Sequence, residues 1–130
     1  MKRMTALILS LLLLTGCGAA PSLTADASYQ QISQEEAARI MESGEDYVIL
    51  DVRTPEEFAS GHIPGAVNIP NESIGTQKPA ELPDTQQQIL VYCRSGNRSK
   101  QASQKLADLG YTNVLEFGGI KTWSGPVVTD

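Results

Sequence analysis

Ile89-Leu90-Val91-Tyr92-Cys93-Arg94-Ser95-Gly96-Asn97-Arg98-Ser99 is a strand, a loop and the start of a helix. Four consecutive apolar residues read as a strand buried on both faces. The run from Lys100 to Leu109 carries Ala102, Leu106 and Leu109 on one helical face, with Ser99 as the expected cap and Gly110 as the stop. Cys93 therefore falls at the carboxyl end of a strand, beside a loop that ends at a helix N-terminus. A thiol that faces loop amides and an arginine there is built as an anion-stabilised nucleophile.

The flanking sequence alternates strand and helix signals. Tyr29 to Ile32 is a short strand, and Ser33-Gln34-Glu35-Glu36 is a capping box that opens a helix ending at Gly44. Tyr47 to Leu50 is a second buried strand. Thr54-Pro55-Glu56-Glu57 is another capping box, with proline where no N–H is needed. Gly61-His62-Ile63-Pro64-Gly65 is a turn into a strand, Ala66 to Ile69, which Pro70 stops. Asn71 to Asp84 is rich in Pro, Gln and Thr, with one short helix near Glu72 to Ile74. Asn113 to Phe117 is the last strand, and Gly118-Gly119 opens a terminal helical turn carrying Trp123. Five strands interleaved with helices predict a three-layer α/β domain with a mainly parallel sheet over residues 29–130. Ligands of such sheets bind beyond the carboxyl ends of the strands, where Cys93 lies.

The N-terminus carries a different signal. Lys2 and Arg3 precede an apolar run from Ala6 to Leu14, too short to span a bilayer, ending in Leu14-Thr15-Gly16-Cys17. That ending resembles a bacterial lipobox. It implies a signal peptide over residues 1–16, cleavage before Cys17 and acylation of that cysteine, with palmitate among the chains. More than one chain anchors a protein stably, on the extracytoplasmic face of the membrane in this reading. Residues 17–28 are the lipidated cysteine and a small, polar, flexible tether.

Charge and cysteine usage narrow the function. Removing residues 1–16, which hold two of the ten basic residues and no acid, leaves eight Lys+Arg against 15 Asp+Glu, a formal −7. Like-charge repulsion then disfavours nucleic acid as a partner. With Cys17 acylated, Cys93 is the one thiol left, so no internal disulfide can form. One cysteine and one histidine, His62, fall short of a zinc site, and no metal or cofactor is expected.

Three segments together resemble the rhodanese homology domain: Asp51 to Phe58, Gly61 to Ala66 and Cys93 to Ser99. The resemblance spans Tyr29 to Trp123. It implies a single-domain sulfurtransferase whose Cys93 accepts a sulfane sulfur as a persulfide and passes it to a thiol or to cyanide, with a small sulfur-containing anion such as thiosulfate as donor. Arg98 resembles the position that contacts the donor's anionic part, and Arg94, Ser95, Gly96 and Asn97 complete the binding loop. The loop's own physics agrees: amides aimed at the sulfur, Gly96 free to adopt positive φ, and the helix dipole all favour thiolate.

Competing roles are open for several residues. His62 reads as a turn residue that packs locally rather than as a base, Asp51 and Arg53 as a buried pair, Glu57 as a cap, and Trp123 as a core or pocket-rim aromatic. Cysteine phosphatases and arsenate reductases place five residues between cysteine and arginine. Here Arg94 to Asn97 are four, and the smaller ring favours sulfur transfer. A membrane-tethered sulfur-binding or redox-sensing module is the non-enzymatic alternative.

Overall fold

The computed structural model describes residues 27–130. The expected signal peptide, the expected lipidated Cys17 and the tether as far as residue 26 lie outside the described residues. From Gln30 the elements are β1 (Gln30–Gln31), α1 (Gln34–Glu42), β2 (Val48–Asp51), α2 (Pro55–Ala59), β3 (Val67–Asn68), a 3-10 turn (Asn71–Ser73), β4 (Ile89–Cys93), α3 (Asn97–Asp108), β5 (Val114–Gly119) and a second 3-10 turn (Ile120–Thr122). The five strands form one parallel sheet in the order β1-β5-β4-β2-β3. The expected α/β architecture, a parallel sheet flanked by helices, is the one the chain adopts.

β4 lies at the centre because every one of its residues can be buried. Side chains alternate across it. Ile89, Val91 and Cys93 join Leu50, Val114 and α3's Ala102 and Leu106 on one face, while Leu90 and Tyr92 join Ile49, Leu115, Phe117 and α1's Ala37 and Ile40 on the other. The register between β4 and β5 slips past Val91: Val91 faces Glu116, but Cys93 faces Gly119. This irregularity sets the glycine pair at the end of β5 against the loop that follows β4.

Several local expectations change in detail. The first strand shrinks to two exposed edge residues, Gln30 and Gln31. Ser33 caps α1 by accepting from Glu36 N, but Glu36 turns to Arg39 instead of closing the box. Thr54 and Glu57 form the full reciprocal box on α2. α3 begins at Asn97, so Ser99 does not cap it. Gly96 holds the N-cap position with φ 114, a left-handed conformation that glycine takes without the Cβ penalty, and this starts the helix three residues early. Within the Asn71 to Asp84 segment, Ile74 and Leu82 are buried and tie the loop to the α3 face.

Candidate active site

The site is built where β4 ends. Cys93 Sγ accepts a hydrogen bond from Gly96 N (3.0 Å) and lies 3.4 Å from Ser99 Oγ. The expected ring of inward amides is thus narrower at the sulfur: the Gly96 amide is the one that donates to it. Cys93 is also more enclosed than a loop thiol should be, with 1% of its surface exposed. The cause is its position as the last inward-facing residue of the central strand, under α3. Its side chain packs in the apolar cluster of that face, and its sulfur also meets the Gly96 amide and the Ser99 hydroxyl.

Beyond the sulfur, the amides of Asn97, Arg98 and Ser99 form the first turn of α3. They have no acceptor within the helix, and no side chain caps them. This end of the helix carries partial positive charge. Of the predicted loop residues, Gly96 is buried with Cys93, while Arg94, Ser95 and Asn97 are exposed.

Arg98 is held from outside the loop. Its Nη1 and Nη2 donate to Glu57 Oε1 (2.7 Å) and Oε2 (3.0 Å), a bidentate pair between α3 and α2. The hydrogen bonds from Arg98, helped by those from Thr54 and opposed by partial burial, hold the Glu57 carboxyl at about 2, below its ordinary 4.5. The same pair raises the Arg98 guanidinium, to which Cys93 also contributes. Glu57 was read only as a cap; it is also the residue that positions the arginine.

The loop is pinned by close backbone packing. A Cβ at Gly119 would fall 2.0 Å from Arg94 O and 2.6 Å from the Ser95 Cα, so glycine alone lets the loop approach. Lys121 N donates to Arg94 O (3.1 Å) from the turn beyond it. On the other side, Arg53 and Asp51 form the expected buried pair, with Nη2 to Oδ2 at 2.7 Å and a further bond to Gly61 O. Burial opposes the Arg53 charge, and Asp51 outweighs it, raising the guanidinium overall.

His62 is local, as its turn implies. It stacks on Phe58, its Nδ1 is 2.8 Å from Phe58 O, and its Nε2 faces Asp130 at 3.3 Å. Trp123 packs against Phe117 and lines a recess of about 270 Å³ with Met41, Tyr47 and Pro126, which contains neither Cys93 nor its loop.

One residue near the sulfur escaped the sequence reading. Glu116 lies on β5, 2% exposed, and its Oε2 is 2.5 Å from Ser99 Oγ. The available signal was a lone acid inside the apolar run Val114-Leu115-Glu116-Phe117.

The family model for the rhodanese-like domain matches residues 33–126. Thiosulfate sulfurtransferase PspE of Escherichia coli K12 is 38% identical over 79 residues, 61% of this chain and 76% of that protein. A sulfurtransferase of Allochromatium vinosum is 38% identical over 95 residues, 72% of this chain and 87% of that one. The solved rhodanese with anions from E. coli superposes with a TM-score of 0.59 at 36% identity, covering 65% of this chain and 99% of that structure. With the family model matching most of its length and two sulfurtransferases this similar, the chain belongs to the rhodanese-like domain family and is a rhodanese-like sulfurtransferase.

Proposed function

We propose that the protein moves a sulfane sulfur from thiosulfate, or a donor of the same chemistry, to a thiol or to cyanide through a persulfide on Cys93. The observation that carries this reading is the sulfur's setting: Cys93 Sγ takes the Gly96 amide at 3.0 Å beneath an uncapped helix N-terminus whose first turn carries a fixed arginine. Thiolate Cys93 attacks the outer sulfur of thiosulfate, the S–S bond of the donor breaks, and sulfite leaves with the bonding pair. The new outer sulfur carries the negative charge, and the amides of Asn97, Arg98 and Ser99 are the donors placed to receive it. An acceptor thiolate or cyanide then attacks that sulfur and restores the Cys93 thiolate. Covalent catalysis of this kind needs no external base once the thiolate exists.

Arg98 and Arg94 supply positive charge to an otherwise acidic chain, which draws the donor dianion to the loop. The E. coli rhodanese of the same fold is one solved with anions, which is in keeping with an anionic donor for this chain. The reading extends to the N-terminus: acylation at Cys17 would hold the domain on the extracytoplasmic face of the membrane, where acceptor thiols could reach it. Support for that part is the sequence of residues 2–17. Among the described residues no helix is long and apolar enough to cross a membrane.

Sulfite release from thiosulfate with cyanide as acceptor tests the reading, run beside phosphate release from an aryl phosphate. Wild-type protein should release sulfite and no phosphate, and Cys93→Ser should release neither. Sulfite turnover by Cys93→Ser, or phosphate release dependent on Cys93, would contradict it.

A further inference from the structure

Glu116 is out of place by every pattern of the fold. On β5, Leu115 and Phe117 point to the α1 side, while Val114 and Glu116 point to the α3 side, where the other strands contribute Leu50, Val91 and Ile89. A carboxylate there is costly unless its oxygens are hydrogen-bonded. No ion pair among the described residues reaches it. Its partners are Gly118 N on Oε2 (2.9 Å), Gln31 Nε2 on Oε1 (3.4 Å) and Ser99 Oγ on Oε2 (2.5 Å).

The Ser99 hydroxyl has one proton and three acceptors within reach: Glu116 Oε2 at 2.5 Å, Gly96 O at 2.9 Å and Gly118 O at 3.4 Å. The shortest contact has the length of a charge-assisted O–H···O⁻ bond, so the proton points to the carboxylate. The oxygen's lone pairs are then left to accept from the Cys93 S–H at 3.4 Å. Sulfur, hydroxyl and carboxylate form one buried chain. Cys93 and Ser99 are almost fully enclosed, so a thiol proton has no direct route to bulk solvent.

We propose that Glu116, acting through Ser99, is the internal acceptor of the Cys93 proton. The proton on Sγ passes to Ser99 Oγ as the Ser99 proton passes to Glu116 Oε2, leaving a thiolate, a neutral hydroxyl and a carboxylic acid. The cluster carries one negative charge before and after, so no net charge is buried in the step. Ser99 touches the reacting atom, and Glu116 is a positioning residue behind it. The proposal deepens the sulfur-transfer reading and rests on Cys93 being the carrier.

While the cluster keeps its single negative charge, the thiolate share is set by the exchange between the two arrangements. The charged and titratable groups around the cluster have partners of their own. On α3 Arg98 is held charged by Glu57 of α2, whose carboxyl stays ionised above about 2. Asp51, Arg53 and Tyr92 form a separate network on the opposite sheet face, with the phenol pushed up by burial. Tyr111, also raised by burial, donates to Leu82 O. His62 is engaged by Phe58 and Asp130, and β1 offers only the neutral Gln31.

The test is the rate at which iodoacetamide alkylates Cys93 as a function of pH, read by mass spectrometry on the peptide carrying it, in the full chain. Between about pH 6 and 8 the wild-type rate should stay level, within about threefold. In Glu116→Gln, which keeps the shape and the bonds to Gly118 and Ser99, it should rise about tenfold per pH unit below its inflection. Ser99→Ala breaks the chain but keeps the carboxylate, and should lose the level region too. A wild-type rate that climbs tenfold per unit, a thiol unreactive across the range, or a Glu116→Gln profile identical in shape to wild type overturns the proposal. Alkylation needs no sulfur donor, so this result is independent of the sulfite assay.

Discussion

Gly119 decides where the reactive loop sits, although it makes no contact with substrate chemistry. Its φ of −133° is ordinary, and its requirement is space, because a methyl group would overlap the Arg94 carbonyl at 2.0 Å. Gly119→Ala should therefore push the loop off β5, at a cost of about 1–3 kcal/mol in stability. A shift of that kind near a nucleophile should lower sulfite release by about a hundredfold. Thermal melting and the sulfite assay on one preparation check both effects. Gly96 needs glycine for the other reason, its left-handed φ of 114°. A Gly96→Ala variant should lose about 1–2 kcal/mol and weaken the amide bond to Cys93. The place of Cys93 at the end of a strand, just before a helix, was legible in the sequence, because an apolar run stops there and a helical period begins. Its depth was not, since burial depends on α3 closing over it from elsewhere in the chain.

Helix caps were the most legible elements, as they are written in consecutive residues. Thr54 and Glu57 close their box as read, and Ser33 caps α1. The reading of Ser99 failed because a hydroxyl near a helix start has two uses: it can cap, or it can bond back to the Gly96 carbonyl and across to β5. The pairing of Glu57 with Arg98 joins residues 41 apart and left no local trace. It makes α2 a support for the loop. Arg98→Ala should raise the thiosulfate concentration giving half-maximal rate about tenfold, the loss of one charge-assisted contact, with a smaller change in maximal rate. The pH behaviour of the pair has a definite sign. Glu57 is held at about 2 in the fold against an ordinary 4.5, so its stabilisation is present above about pH 4.5 and is lost as pH falls toward 2. The melting temperature of wild type should drop through that window more than that of Glu57→Gln. Parallel curves for the two proteins would remove Glu57 as the source.

The whole molecule is a parallel sheet whose central strand ends at the site. The strand order β1-β5-β4-β2-β3 puts the carboxyl ends of β4 and β5 side by side, and the register slip between them sets Gly119 against the loop. Strand number and layer arrangement were readable from alternating periodicities. The order and the slip were not, because they depend on pairings distant in sequence, and so Glu116, which reaches the sulfur only through that pairing, passed unnoticed. The proposed membrane attachment is argued from residues 2–17: Cys17→Ser should move the protein from the membrane to the soluble fraction with its sulfite release unchanged. The proposed sulfur transfer depends on Cys93 as the carrier. The most direct measurement is intact-protein and peptide mass spectrometry after incubation with thiosulfate. One sulfur atom should be gained on the peptide containing Cys93, removed on adding cyanide and absent from Cys93→Ser. An unchanged mass, or a sulfur adduct that persists in Cys93→Ser, would contradict it.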